Sequence, residues 1–258
     1  MPNPLSGRVA MVTGASRNLG RAIALRLAAH GADLVLTSQS ATDDLEAVAA
    51  EARALGARVV AATADIGDAA AVSALIERAT ADFAAPDILV SNASRRPRRA
   101  FLDITPEEWD GILRTNLSAS FYLARALIPA MQAKRWGRII LIGGPDGQRP
   151  ELYKGAAHRA HCNTAKAGLI GLMKAIAAEF GRDGVTSNIV TPGIMDTERD
   201  PVNYPHWPMP QEELERRLSV PRLGRPEEVA AMCAFLAGDD AAYVTGQTIH
   251  VSGGYYMP

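Results

Sequence analysis

A glycine-containing turn near the N-terminus has the composition of a phosphate-binding site. Residues 13–20 read TGASRNLG and lie between an apolar, strand-like run and a helical segment. A tight turn that opens a helix directs backbone N–H groups toward one point, where the helix dipole also favours a pyrophosphate. Glycine also occurs in turns that bind nothing, so the strand–turn–helix context is what predicts a dinucleotide site.

A cysteine, a lysine and two histidines form a second group that could do chemistry. Cys162 and Lys166 are four positions apart, which places them on one face of a helix. A thiol beside an ammonium group has a lowered pKa and can act as acid, base or nucleophile. His158 and His161 could supply a proton near neutral pH, with His158 one helical turn before Cys162 if the helix extends that far. The alternatives are a small packed cysteine and two surface histidines.

Four arginines stand in the five positions 95–99, directly after a predicted strand. In doubly wound sheets such a loop lies near the crevice where ligands bind, so its positive field would suit an anionic substrate. A solvated basic loop is the plainer interpretation. The run is short and has no interleaved aromatic residues, so it does not predict a nucleic-acid interface.

The composition is that of an ordinary globular protein. The chain has 258 residues, 48% of them hydrophobic, and a net charge of −1, which draws it neither to nucleic acid nor to a membrane. Two cysteines exclude a disulfide scaffold and a cysteine-rich zinc site, and we predict no metal. No apolar run is long enough to span a bilayer, and no signal segment is recognisable, so we expect a cytoplasmic protein.

Short apolar runs alternate with alanine-rich helical segments along the whole chain. This alternation predicts an α/β fold in which about seven parallel strands form one doubly wound sheet with helices on both faces. We expect a single domain over residues 1–258, with one long helix at 107–134 and another at 164–180. Residues 193–226 are irregular and rich in proline, which is typical of a substrate lid. Within them, Tyr204, His206 and Trp207 could line an apolar pocket or anchor the loop.

A series of ordered motifs resembles the short-chain dehydrogenase/reductase family, most closely its 3-oxoacyl-acyl-carrier-protein reductases. The motifs are TGASRNLG, ADI at 64–66, SNAS at 91–94, RTNLSAS with Asn116, TAKAGLIGLMKA with Lys166, TPGIMDT at 191–197, LGRPEEVA and YVTGQTIHVSGG. Asn18 replaces the middle glycine of the first motif, and asparagine tolerates the left-handed backbone required there. The resemblance implies a Rossmann fold, a nicotinamide dinucleotide, a small carbonyl or hydroxyl substrate, and a homotetramer or homodimer.

The resemblance also assigns a set of cofactor-binding positions. They are Gly14, Ser16, Arg17, Asn18, Leu19, Gly20, Ser38, Asp65, Ile66, Asn92, Ala93, Lys166, Pro192, Gly193 and Thr197. Family members that prefer NAD carry an acidic residue where the second strand ends, but residues 37–40 read TSQS here. Arg17 could pair with a 2′-phosphate, so we predict NADP(H) rather than NAD(H).

The family's serine and tyrosine are both missing from this chain. The tyrosine, four positions before the lysine, donates a proton to the carbonyl oxygen; the serine positions the carbonyl. Here Cys162 precedes Lys166, and Gly144 stands where the serine is expected. The segment between these two positions is longer than is usual in the family. The candidate catalytic residues are Cys162, Lys166, Asn116 and His158, with Tyr153 in the longer segment as another conceivable donor.

Three functions fit these observations. The first is an NADP(H)-dependent oxidoreductase with a non-standard proton donor. The second is a non-redox enzyme on the same scaffold, of lyase or hydratase type, using Cys162 or a histidine. The third is a catalytically inert cofactor-binding protein. Fold does not separate them, because function belongs to the site.

Overall fold

Seven parallel strands form one sheet in the order β3-β2-β1-β4-β5-β6-β7. The computed structural model describes residues 3–144, 158–201, 204 and 207–257. The strands are β1 Val9–Thr13, β2 Asp33–Ser38, β3 Val59–Thr63, β4 Ile88–Ser91, β5 Gly137–Ile142, β6 Val185–Pro192 and β7 Thr248–Val251. The order reverses between β1 and β4, which is the point where open α/β sheets bind ligands. The predicted fold class is confirmed.

Eight α-helices within the described residues flank the sheet. They are α1 Asn18–Ala29, α2 Thr42–Ala54, α3 Ala69–Asp82, α4 Pro106–Leu113, α5 Ala119–Lys134, α6 Ala160–Phe180, α7 Gln211–Arg217 and α8 Pro226–Ala237. Alternate residues of β1 enter two separate cores: Ala10 and Val12 join one apolar cluster, and Met11 joins the other. Helices therefore cover both faces of the sheet, which holds the carboxyl ends of the strands rigidly in place.

The long helix predicted at 107–134 is interrupted. Thr105 caps α4 by accepting a hydrogen bond from the backbone N–H of Glu108, and Pro106 occupies its first turn. Residues Arg114–Ser118 then form a π-helical segment before α5 begins. A π segment inserts a residue into the helical repeat and commonly marks a functional position. The interruption falls on Asn116, one of the predicted site residues.

Two other boundaries differ from the prediction. The helix predicted at 164–180 begins earlier, at Ala160, and the irregular stretch at 193–226 contains the helix α7. Leu214 of α7 packs with Ile194, Leu218 and Tyr255 in a small apolar cluster, and this burial stabilises a short helix that periodicity alone does not reveal. Among the described residues, no helix combines the length and apolarity needed to cross a bilayer.

Candidate functional site

The turn between β1 and α1 is built for close approach of the backbone to a ligand. Gly14 has φ +63°, and a Cβ at Gly20 would lie 2.0 Å from the Gly14 carbonyl oxygen. Asn18 has φ +50°, so it adopts the left-handed conformation that we expected asparagine to tolerate. No side chain of the described residues caps the start of α1. Its first N–H groups are therefore available to an anion.

The loop after β4 forms hydrogen bonds that stabilise this turn. The Thr13 Oγ1 accepts hydrogen bonds from the backbone N–H groups of Asn92 and Ala93, each at 3.0 Å. The Asn92 side chain donates to the carbonyl oxygens of Thr13 at 3.0 Å and Gly14 at 3.1 Å. Asn92 thus shapes the turn, and a Cβ added at Gly14 would lie 2.9 Å from the Ala93 Cα.

The side chain of Asn18 connects the turn to the segment that follows β6. Its Nδ2 donates to the Glu198 carbonyl oxygen at 3.3 Å, and its Oδ1 accepts from the Glu198 N–H at 3.1 Å. The residue that departs from the family's glycine therefore makes a reciprocal pair of hydrogen bonds that glycine could not make. Gly193, directly after β6, packs against the residue that follows β7, since a Cβ there would be 2.6 Å from the Ser252 Cα.

The positions expected near the adenosine half lie around the ends of β2 and β3. Ser38 is buried at the end of β2 and donates to the Ala41 carbonyl oxygen at 3.3 Å. Asp65 accepts from the Gly67 N–H at 2.9 Å, and Ile66 is buried. Arg17 is exposed at the N-cap of α1. Residues 37–40, where β2 ends, are Thr, Ser, Gln and Ser and carry no carboxylate.

Asp33 is the one acidic residue of β2, and its carboxylate forms hydrogen bonds away from the end of the strand. Asp33 begins the strand, at the opposite edge of the sheet, and its carboxylate accepts from the backbone N–H and the guanidinium of Arg58 at 2.9 Å each. Asp33 therefore lies away from the end of β2 where family members that prefer NAD carry their acidic residue.

Lys166, Asn116 and Cys162 come together at the ends of β4 and β5. The Lys166 Nζ is buried and donates to the Ile142 carbonyl oxygen at 2.6 Å. The Asn116 amide exchanges two hydrogen bonds of 2.8 Å with the Arg95 backbone. The Cys162 Sγ, 2% exposed, donates to the same Arg95 carbonyl oxygen at 3.5 Å. Asn116 and Cys162 therefore both hold the first residue of the arginine run.

The two histidines have different surroundings. His158 lies before α6, which begins at Ala160, so it is not on a helical turn preceding Cys162; it is exposed and has φ +77°. The condition under which His158 would face Cys162 is therefore not met. His161 is fully buried, and its Nδ1 accepts from the Cys162 N–H at 2.9 Å. Burial lowers the pKa of His161, so its imidazole is neutral at pH 7.

The arginine run does not act as one exposed patch. Arg99 forms an ion pair with Glu108, with 3.2 Å between Nε and Oε2, and its backbone N–H donates to the His158 carbonyl oxygen. The backbone of Arg95 is fixed as described above. Arg96 contributes to a different group, which is centred on Tyr204.

Two arginines pack against the ring of Tyr204. The guanidinium carbon of Arg159 lies 4.9 Å from the ring centre, and that of Arg199 lies 4.7 Å away. Arg199 also lies 3.8 Å from the ring centre of Trp207. Burial alone would raise the pKa of the Tyr204 phenol, but three guanidinium groups outweigh it and lower the pKa below its ordinary value. The third of these groups belongs to Arg96.

This group of Arg96, Arg159, Arg199 and Tyr204 is not evident from the sequence. Its members come from the loops after β4 and β6 and from the N-cap of α6, and no spacing in the chain brings them together. For Tyr204 and Trp207 the sequence contains only a weak indication of a role, because they are aromatic residues among the prolines of a predicted lid. Tyr153 and His206 lie outside the described residues. Those residues contain no group of three His, Cys, Asp or Glu side chains placed to hold a metal ion.

Known proteins resemble this chain over nearly its whole length. Residues 14–256 match the family model described as enoyl-(acyl carrier protein) reductase. The 3-oxoacyl-[acyl-carrier-protein] reductase FabG of Escherichia coli (strain K12) is 39% identical over 251 residues, which are 97% of this chain and 98% of that protein.

Solved structures agree in fold. A blue fluorescent protein from a metagenomic library, in complex with NADPH, is 35% identical with a TM-score of 0.88, and the match covers 98% of this chain and 100% of that one. A short-chain dehydrogenase/reductase from Serratia marcescens BCRC 10948 is 34% identical with a TM-score of 0.86, covering 98% and 99%. With its all-parallel sheet, its glycine turn and a buried lysine on α6, the chain belongs to the short-chain dehydrogenase/reductase family.

Proposed function

We propose that this protein is an NADP(H)-dependent oxidoreductase that transfers a hydride to or from a carbonyl or hydroxyl substrate. The observation that carries the proposal is the turn between β1 and α1, where Gly20 packs so closely on Gly14 that no side chain fits. Such a cradle, open at a helix N-terminus, suits a pyrophosphate. A chain that had abandoned the dinucleotide would have no physical need to keep it.

The residues present fit a phosphorylated nicotinamide dinucleotide. The turn from Gly14 to Gly20 would hold the pyrophosphate, and Arg17 would pair with a 2′-phosphate at the end of β2, where no carboxylate repels it. Lys166 would hold the nicotinamide ribose, since its buried ammonium is already directed to the end of β5. When bound, the cofactor supplies the hydride. Support also comes from the NADPH complex of the blue fluorescent protein.

A 3-oxoacyl thioester is the substrate class that the relatives favour. The curated relatives are named 3-oxoacyl-[acyl-carrier-protein] reductases, and a carrier-bound acyl group is one of the anionic substrates that the arginine run would suit. Arg96 and Arg98 follow β4 at the ligand-binding edge of the sheet and would attract such a carrier. We also propose the homotetramer or homodimer that the family resemblance implies, and light scattering would measure it.

The family resemblance aligns Cys162 with the family's tyrosine, so we propose that another group donates the proton. The sequence also leaves His161 and Tyr153 as conceivable donors, but its first candidates are Cys162 and His158. Cys162→Ala and His158→Gln test these two residues directly, since loss of a general acid lowers the rate by roughly 10²–10⁴-fold. The buried, hydrogen-bonded position of the Cys162 thiol favours a packing role instead.

Titration of the purified protein with NADPH and NADH, followed by cofactor fluorescence, tests the proposal. We expect tight NADPH binding, weaker NADH binding, and reduction of acetoacetyl-coenzyme A with loss of NADPH absorbance. Arg17→Ala should narrow the preference for NADPH over NADH. If neither dinucleotide bound, the proposal would be refuted. Substrate turnover without a change in NADPH absorbance would favour a lyase or hydratase. Tight dinucleotide binding without any turnover would favour a catalytically inert binding protein.

A further inference from the structure

We propose that Tyr204 supplies the proton that the missing tyrosine of α6 would have supplied. The inference rests on the proposed function, because it concerns the acid group of that reaction. Tyr204 lies in the segment after β6, far in sequence from Cys162. Three observations support it: the position of the phenol in the fold, the state of its hydroxyl group, and the charges around it.

The position of the phenol follows from the arginines that surround it. Arg96 comes from the loop after β4, Arg159 immediately precedes α6, and Arg199 follows β6. All three therefore stand at the carboxyl ends of neighbouring strands, where this class of sheet binds its ligands. Arg159 is the N-cap of α6, three residues before Cys162, and the family resemblance aligns Cys162 with the family's tyrosine. The ring of Tyr204 contacts Arg159 at this end of α6.

The hydroxyl of Tyr204 is buried but has no hydrogen-bond acceptor within the described residues. A buried phenol normally finds such a partner, because an unsatisfied O–H costs about 1–3 kcal/mol. The carbonyl oxygen of a bound substrate would be an acceptor of the right chemistry. The backbone N–H of Tyr204 itself donates to the Asp200 carbonyl oxygen at 2.9 Å.

The charges around Tyr204 favour its loss of a proton. In the family's arrangement, a single lysine stabilises the phenolate that forms when the tyrosine acts as an acid. Here the guanidinium groups of Arg159 and Arg199 lie on the ring at 4.9 and 4.7 Å. These two cations beside the ring would stabilise the phenolate in the same way. Together with Arg96, whose charge has the largest lowering effect, they outweigh burial and lower the pKa of Tyr204.

The proposed step is balanced in atoms and electrons. The substrate carbonyl carbon gains a hydride from NADPH, and the C=O π bond breaks as its electron pair moves to oxygen. That oxygen takes the proton of the Tyr204 hydroxyl, so a C–OH group and a tyrosinate form. The tyrosinate then takes a proton from water. In the oxidation direction the tyrosinate acts as the base.

The experiment compares the wild type with Tyr204→Phe in the reduction of acetoacetyl-coenzyme A by NADPH. Tyr204→Phe keeps the ring that packs on Arg159 and Arg199 and removes only the hydroxyl. We expect kcat to fall by roughly 10²-fold or more while the dissociation constant of NADPH is unchanged. Tyr243→Phe, which changes a fully exposed tyrosine, is the matched control and should leave kcat unchanged.

The pH profile separates an acid from a packing residue. The wild-type rate of reduction should decline as pH rises through the pKa of Tyr204, and the residual rate of Tyr204→Phe should lack this decline. An alkaline absorbance titration without substrate should show a tyrosine of lowered pKa in the wild type that is absent from Tyr204→Phe.

The outcomes distinguish this inference from the proposed function. No reduction by the wild type refutes the proposed function, and this inference with it. Reduction that Tyr204→Phe retains, or a lower kcat with an unchanged alkaline decline, refutes the inference alone. A large loss in Cys162→Ser with none in Tyr204→Phe would assign the proton to the thiol instead.

Discussion

Replacement of Thr13 by valine should destabilise the protein and weaken cofactor binding together. The Thr13 hydroxyl is fully buried and accepts hydrogen bonds from the backbone N–H groups of Asn92 and Ala93. Valine has nearly the same shape but no acceptor, so it leaves both donors unpaired. Each unpaired donor costs about 1–3 kcal/mol, and because both residues are only partly buried we expect a total of about 2–4 kcal/mol. In a chain of this size that lowers Tm by roughly 5–15 °C.

Thr37 provides a matched control in the neighbouring strand. It pairs with Thr13 in the register of β1 and β2, it is 1% exposed, and its Oγ1 has no hydrogen-bond partner among the described residues. The same substitution there removes an unsatisfied hydroxyl, so Thr37→Val should change stability by less than about 0.5 kcal/mol or increase it slightly.

Urea unfolding without cofactor measures both changes, and a fluorescence titration measures the affinity for NADPH. Thr13→Ser, which keeps the acceptor, should retain most of the stability and affinity. If Thr13→Val cost less than about 1 kcal/mol, or if Thr37→Val cost as much as Thr13→Val, the unpaired-donor explanation would be wrong.

Two further predictions concern the turn and the start of α6. Gly20→Ala should abolish dinucleotide binding, because its Cβ would lie 2.0 Å from the Gly14 carbonyl oxygen, whereas Gly111→Ala, whose Cβ would meet nothing within 4 Å, should bind normally and gain roughly 0.5–1 kcal/mol. Calorimetric binding and unfolding curves would test the pair. The lowered pKa of His161 means that the unfolded chain takes up a proton first as pH falls below 6.5, so stability is present above that pH and is lost below it. His161→Asn keeps an acceptor for the Cys162 N–H without titrating, and should flatten the pH dependence of Tm below pH 6.5; an unchanged slope would contradict the assignment.

The fold was predictable from the sequence, because its determinants are local. Each buried strand is an apolar run, and each is separated from the next by a helical segment. The turn at 13–20 was predictable for the same reason, including the left-handed conformation of Asn18. The interruption of the helix predicted at 107–134 was not, since residues 114–118 have ordinary helical composition and their π geometry depends on tertiary packing.

The candidate site was predictable only where one motif contains it. Lys166 could be placed from its own motif, but the hydrogen bonds of Asn116 and Cys162 to Arg95 depend on loops that meet only in the folded chain. The same holds for the arginines around Tyr204. His158 was placed one helical turn before Cys162 on the condition that the helix extended that far, and this condition is not met because α6 begins at Ala160, two residues too late.

The hydrogen bonds between Asn18 and Glu198 restrict sequence variation unequally at their two ends. Glu198 contributes only its main chain, so any residue except proline could take its place without loss of either bond. Position 18 must combine a φ of +50° with a donor and an acceptor on one short side chain. Asparagine meets these requirements; aspartate lacks the donor, and glycine lacks both groups. A substitution at position 18 would therefore remove hydrogen bonds that hold the segment around residue 198. Most substitutions at position 198 would leave both hydrogen bonds in place.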